Sequence, residues 1–385
     1  MVQRDTKIIT LALALCTAST GPQLVALSLL MPEISATLNT PITQLGQLNT
    51  AYSILAIIGS LIMGFITIRY PPKRLLVTGI ATLLVGVATA AFSQSYVHML
   101  IAFILYGIGT SLTLPIVSLL LTLYPQRERT TAMGRIYSGR SLTSIIATPI
   151  IGALTASYGW RTGYIGFGAP LILLSIILIL AKVPEQPVST EKIDLTAGFK
   201  NILRNRSAVA CIIGAALSLA FFNGLMVFNG TYTRNHLNLS IETASLAMSL
   251  TFIAIAIGQV ASGTIASRLG IKSTTWISTL IGGASLLIYF STTLPAPAAI
   301  LASVIGTAMA GTTMTTMATL ALEQVPESRG TMMSLNSAAM SMGAMLSTTI
   351  GGVAIDNLGF TGFGLIMFVI TLIAAVTFYI WTWEP

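Results

Sequence analysis

Twelve mainly apolar runs, each long enough to cross a bilayer, follow one another at 8–31, 45–68, 74–93, 97–123, 131–157, 162–182, 207–230, 243–267, 273–293, 297–321, 330–353 and 361–382. A hydrocarbon core about 30 Å thick needs about 20 such residues in a helix. Only helices or closed barrels can satisfy every backbone group at that depth. The chain has 385 residues, of which 54% are hydrophobic and 8% charged, against about 25% charged in a soluble domain. Too few ionised side chains remain to cover a water-facing surface, so the expected fold is an all-α membrane protein of twelve transmembrane helices.

The interruptions carry turn chemistry or charge: Tyr70–Arg74, Pro125–Arg129, Gly159–Arg161, Arg268–Lys272, Pro295–Pro297 and Pro326–Arg329. Arg4 and Lys7 ahead of the first run imitate a secretory signal. The run exceeds an h-region of about 7–15 residues, however, and no small-x-small site closes it. Leu15 before Cys16 also argues against a lipoprotein signal, so the run reads as the first membrane helix. Cys16 and Cys211 lie in separate apolar runs and read as small buried hydrophobes, with no disulfide, metal or cofactor expected.

With the N-terminus in the cytoplasm, fifteen basic residues fall in inner segments, among them Arg69, Lys73, Arg74, Arg127, Arg129, Lys200, Arg268, Lys272 and Arg329, and two, Arg161 and Arg234, in outer loops. Arg135 lies just inside a helix end, from which it snorkels. This positive-inside bias places both termini in the cytoplasm of a multi-pass protein of the inner membrane. It also accounts for the net charge of +8 by orientation, not by nucleic-acid binding. The longest polar segment, 183–206, reads as a cytoplasmic linker with a short surface helix around 195–203. It divides the chain into six-helix bundles at 1–182 and 207–385.

The halves echo each other. Gly64, Arg69, Lys73 and Arg74 follow the second run as Gly263, Arg268, Gly270 and Lys272 follow the eighth. Pro125-Gln-Arg127-Glu128-Arg129 follows the fourth run, and Pro326-Glu327-Ser-Arg329 the tenth. Repeats of this kind point to a transporter with its site between the halves.

On these residues the chain resembles the major facilitator superfamily, and the resemblance covers essentially all of it. That family's loop signature, G-x-L-x-D-R-x-G-R-[KR], is matched by Gly64, Arg69, Lys73 and Arg74 and again by Gly263, Arg268, Gly270 and Lys272. The acidic position holds Ile68 in one copy and Ser267 in the other, and Pro71 replaces the first turn glycine. The charge clasp that the resemblance implies is therefore incomplete, and a latch must use other groups, such as helix dipoles or Glu128 and Glu327. Ala147-Thr148-Pro149-Ile-Ile-Gly152 resembles the G-P-x-x-G segment of the drug:proton antiporter branch, and Tyr158-Gly159-Trp160-Arg161 the turn that follows it there. The resemblance gives Pro149 and Gly152 a bending and sealing role; ordinary packing is the alternative. The helix-four arginine tied to proton transfer in that branch is missing; Phe103 stands there.

The central candidate is Arg140, the tenth residue of the fifth run. A charge at that depth costs roughly 2.5–3.5 kcal/mol and normally faces a cavity or a partner. Tyr137, Arg140, Ser144 and Thr148 share a helical face. Arg140 is expected either to hold a carboxylate-bearing substrate through charge-assisted hydrogen bonds or to serve a proton relay; a structural arginine bonded to helix carbonyls is the alternative. Gln23, Tyr106, Asn223 and Asn336 are raised as substrate contacts because the resemblance puts their helices around or beside the cavity. Eight of sixteen methionines lie between 301 and 350. Met340 shares a face with Asn336; residue by residue, core filling is the ordinary reading, and only as a group do the methionines mildly favour a pocket for amphipathic molecules.

No phosphate loop is present, so an ion gradient is the expected energy source. All eleven acids are expected at or beyond helix ends, with Glu33 nearest to a relay position; proton coupling is thus implied by the resemblance alone. Three readings follow for a non-enzymatic monomer whose partners are a small-molecule substrate, protons and the lipid bilayer. The resemblance favours export of amphipathic compounds in exchange for protons. The alternative is a facilitator or uptake carrier for a small organic anion bound by Arg140. A non-transporting membrane protein would need an effector domain or a catalytic cluster, and the sequence has neither.

Overall fold

Pro22 sets the first departure from an unbroken helix. Proline lacks an N–H and is well suited to the first turn of a helix. The computed structural model describes residues 2–66, 69–120, 129–185, 195–291, 294–325 and 329–383; some side chains within them, Tyr137's included, lie outside the described set. In it, α1 (Val2–Ala18) stops ahead of this proline and α2 (Pro22–Leu38) begins on it. Across the break the ladder tightens: Thr20 N–H donates to Thr17 O (3.1 Å), Gly21 N–H to Ala18 O (3.3 Å) and Leu24 N–H to Gly21 O (3.2 Å). Side chains also bond back along the chain here: Ser19 Oγ donates to Leu15 O, which already accepts from Ser19 N–H, and Gln23 Nε2 donates to Ser19 O, both side-chain bonds at 2.8 Å.

The remaining helices are α3 (Ile42–Ile66), α4 (Pro72–Ala91), α5 (Tyr96–Leu120), α6 (Arg129–Tyr158), α7 (Trp160–Lys182), α8 (Leu195–Arg204), α9 (Arg206–Thr231), α10 (Ile241–Leu269), α11 (Ile271–Phe290), α12 (Ala296–Gln324) and α13 (Arg329–Trp381). A single π turn, Tyr232–His236, extends α9. The fold is therefore an all-α, multi-helix membrane fold. Among the described residues, nine stretches are long and apolar enough to cross a membrane. The eleventh and twelfth expected runs fall in one of them. The 47-residue stretch Leu335–Trp381 would be about 70 Å long if straight. It turns at Gly359, whose φ of 67° and ψ of −170° suit only glycine, so the eleventh and twelfth runs join without a loop. The second and fifth runs lie in α3 and α6, within which some side chains are outside the described residues.

The chain forms two compact units, residues 1–192 with 240–249, and residues 193–239 with 250–385. In unit 1, α5 packs on α3 and α4, and α6 on α1 and α7. A Cβ at Gly139 would stand 2.7 Å from Ala14 O, so α6 touches the α1 backbone directly. In unit 2 the dominant pair is α9 with α13; a Cβ at Gly343 would lie 2.1 Å from Ala216 O. Between α10 and α12, a Cβ at Gly258 would lie 1.8 Å from Ala308 O. Small residues at such crossings let helix backbones meet where lipid offers no hydrophobic drive.

Candidate functional site

Arg140 stands beside the break between α1 and α2. Gly21, at the break, has no side chain, and a Cβ built there would lie 3.5 Å from Arg140 Cγ and 3.3 Å from Ser144 Oγ. One turn earlier on α6, Thr17 Oγ1 of α1 donates to Ile136 O at 2.7 Å. That bond, with the Gly139–Ala14 contact, fixes the register of α6 against α1. The Arg140 side chain is half-buried, and among the described residues its guanidinium has no carboxylate and no hydrogen-bond acceptor. Ser144 and Thr148 are buried and bond back along their own helix, Ser144 Oγ to Arg140 O (3.1 Å) and Thr148 Oγ1 to Ser144 O (2.7 Å). The backbone of Tyr137 lies in α6 one turn before Arg140; its side chain is outside the described residues.

Gln23 is 4% exposed, and its Oε1 has no partner. Tyr164 OH donates to Gln23 O at 3.4 Å. The Tyr106 hydroxyl is buried beside that of Tyr164 without reaching hydrogen-bond geometry. Among the described residues of unit 1, Ser53 Oγ, Ser93 Oγ and Thr155 Oγ1 are likewise buried without a partner. Arg161 has partners in the fold: it lies 4.4 Å over the Trp160 ring and donates to Ser93 O at 2.8 Å.

In unit 2, Asn223 is half-buried on α9 and donates to Leu219 O at 2.9 Å. Asn336 is 1% exposed on α13; its Nδ2 faces Met340 Sδ at 3.7 Å, and its Oδ1 has no partner. Asn229, further along α9, is held within the fold: Tyr289 OH donates to Asn229 Oδ1 at 2.6 Å, and Tyr232 OH to Tyr289 O at 2.7 Å. A small cavity lined by Ser218, Ser278, Thr279 and Thr313 among others is about 20 Å³, room for one water.

The signature residues occupy helix ends. Gly64 lies within the last turns of α3, and Ile68 lies outside the described residues, as do Arg127, Glu128 and Glu327. Arg69 and Arg74 are exposed, while Lys73 Nζ donates to Leu180 O at 3.1 Å. The two copies turn differently. Gly270 enters α11 with φ 84°, whereas Pro71 enters α4 in extended backbone, φ −58° and ψ 136°. Arg268 is exposed in the last turn of α10, Lys272 is half-buried in the first turn of α11, and a Cβ at Gly263 would meet nothing. Pro149 lies inside α6, and a Cβ at Gly152 would stand 2.7 Å from Ser245 Oγ. Contrary to expectation, Glu33 lies inside α2 and not beyond a helix end. Pro32 removes only one ladder bond, and the helix continues past it. Glu33 lines a cleft of about 300 Å³ with Thr37, Thr155 and Trp160. Among the described residues, no three His, Cys, Asp or Glu side chains cluster as metal ligands would.

Comparison with known proteins matches residues 11–327 and 211–385 to a family model described as Major Facilitator Superfamily. A probable sugar efflux transporter of Mannheimia succiniciproducens is 28% identical over 42% of this chain and 42% of its own length. A cis,cis-muconate transport protein of Acinetobacter baylyi is 25% identical over 66% and 64%, respectively. A hexuronate transporter of Bacillus subtilis is 25% identical over 62% and 59%. The chain thus spans about two-fifths to two-thirds of the length of these relatives. The crystal structure of a D-xylose–proton symporter superposes with a TM-score of 0.83 at 17% identity, over 98% of each chain; at that identity the likeness shows the fold.

Proposed function

Because the chain belongs to the Major Facilitator Superfamily, we propose that it is a secondary transporter of the cytoplasmic membrane that carries a small organic anion by alternating access, with Arg140 as the anion's partner. The observation that carries this reading is the half-buried Arg140, on a membrane helix beside an interrupted helix, with no acceptor among the described residues. A charge kept at such a depth is functional by default, and guanidinium matches carboxylate geometry in two parallel hydrogen bonds. Muconate and hexuronate, the solutes in the names of two relatives, are carboxylates, which supports an anionic substrate. We further propose twelve membrane helices with both termini in the cytoplasm, bundles at 1–182 and 207–385, and a linker at 183–206. Tyr137, Ser144, Gln23, Tyr106, Asn223, Asn336 and Met340 complete the substrate path, and the two signature loops gate it.

The test is uptake into proteoliposomes. Wild-type protein takes up radiolabelled cis,cis-muconate or D-glucuronate, and Arg140→Gln, inserted in equal amount, does not. Equal uptake by the variant overturns the reading.

A second reading, export of amphipathic compounds in exchange for protons, draws support from Pro149 and Gly152 on α6 and from the efflux relative. In that case substrate addition moves the internal pH of proteoliposomes. Substrate flux with a flat pH trace removes it.

A further inference from the structure

Helix α8, in unit 2, is strongly two-sided. Ile202 is fully buried and packs with Cys211, Leu219, Met317 and Phe378. Lys200, Leu203 and Arg204, spaced three and four residues apart, share the other face and are all exposed, Leu203 to 65%. One exposed leucine decides nothing. A leucine held between two cations on a helix of 10 residues is a different matter, because so short a helix is marginal on its own and gains from a second apolar contact.

The junction after α8 fixes its depth. Asn205 Oδ1 accepts from the N–H groups of Ser207 and Ala208, at 3.0 and 3.2 Å, and its Nδ2 donates to Gln324 O at 3.0 Å. Ser207 Oγ bonds to Gln324 Oε1 and accepts from Trp383 N–H at 2.8 Å. Gln324 Nε2 donates to Trp383 O at 2.9 Å. Trp383 is thereby tied to the start of α9, and its side chain is 76% exposed. Tryptophan at the end of a membrane helix sits at headgroup level, which puts Lys200 and Arg204 at the same level. Arg206 is exposed beside them. Among the described residues none of these three cations has an anionic partner.

We propose that α8 lies in the headgroup layer and binds anionic phospholipid, with Leu203 entering the acyl boundary while Lys200 and Arg204 hold the lipid phosphate. An aqueous linker helix would have no use for Leu203 at that position, whereas an interfacial one combines a basic rim with an apolar edge.

Two measurements on the full chain test this. Cys16 and Cys211 are fully buried, so Leu203→Cys takes a nitroxide selectively. In nanodiscs of phosphatidylcholine with 30% phosphatidylglycerol (roughly the charged-lipid fraction of an anionic leaflet), the label is relaxed more by oxygen than by an aqueous nickel chelate. Native mass spectrometry of the same discs shows phosphatidylglycerol retained over phosphatidylcholine. Lys200→Gln and Arg204→Gln each lower that preference about fivefold. A label open to the nickel chelate, no phosphatidylglycerol preference in the wild type, or the same preference in the double variant overturns the proposal.

Discussion

The first long helix of unit 1 breaks at Ser19–Gly21 and meets a guanidinium; the first long helix of unit 2, α9, runs unbroken from Arg206 to Thr231. Around α9 the polar groups are mostly consumed by one another. Asn229 takes the Tyr289 hydroxyl, Tyr289 O takes that of Tyr232, and Ser278 meets Thr313 at 2.8 Å. One end of this unit is closed by aromatic rings in edge and stacked contact, Tyr232, Tyr289, Phe290, Phe360 and Phe363 among them. Among its described residues unit 1 has no comparable cluster, and among them Arg140 and Gln23 Oε1 have no partners. A polar group with a partner in the fold holds helices together, whereas one left open at membrane depth is available to a solute. Asn336 Oδ1, Thr231 Oγ1 and Ser303 Oγ are exceptions in unit 2, and all three are neutral.

This contrast can be broken at several points. The largest effect is expected at Arg140: Arg140→Gln lowers carboxylate uptake about 100-fold, the upper end for a hydrogen bond to a charged group, while Asn336→Leu costs less than about tenfold at equal abundance. Equal losses would place recognition in both units. Next comes Gly258→Ala, which sets a methyl group on the Ala308 carbonyl. It destabilises unit 2 by about 1–3 kcal/mol, the range for overpacking, and is read by thermal unfolding in detergent. Tyr289→Phe leaves Asn229 Oδ1 buried without its donor and costs about 1–2 kcal/mol by the same assay; an unchanged midpoint would remove the claim that this pair is structural. The smallest effect is at Gly21→Ala. The new methyl would press on Arg140 Cγ and Ser144 Oγ at 3.5 and 3.3 Å, contacts that yield by a few tenths of an ångström. It raises the apparent KM for the anion about two- to fivefold, a fraction of the Arg140 effect, with the melting temperature unchanged.

Much of the fold is written in residue order. Apolar runs fix most helices, and Gly159, Gly270 and Pro72 mark turns where turns occur. The break at Gly21-Pro22 carries its own signal, a glycine followed by an N1 proline with Ser19, Thr20 and Gln23 around it, but it lies inside a longer apolar run that reads as one span. The direct turn at Gly359 is legible only as an isolated glycine, because a positive φ leaves no other trace in sequence. At the candidate site, Arg140 stands out by charge alone. Its neighbour Gly21 does not, since the relevant property is the space that a missing side chain leaves for a residue 119 positions away. The pairing of Asn229 with Tyr289 and the knot joining Asn205, Gln324 and Trp383 are long-range contacts that no local spacing encodes.

The account rests on recognition of a carboxylate by Arg140, and calorimetric titration of the purified protein reaches that claim without transport, lipid or coupling ion. D-glucuronate and cis,cis-muconate should bind the wild type, their neutral methyl esters should bind at least about tenfold more weakly, and Arg140→Gln should no longer tell acid from ester. Esters bound as tightly as acids, or an Arg140→Gln variant that keeps the preference, would contradict it.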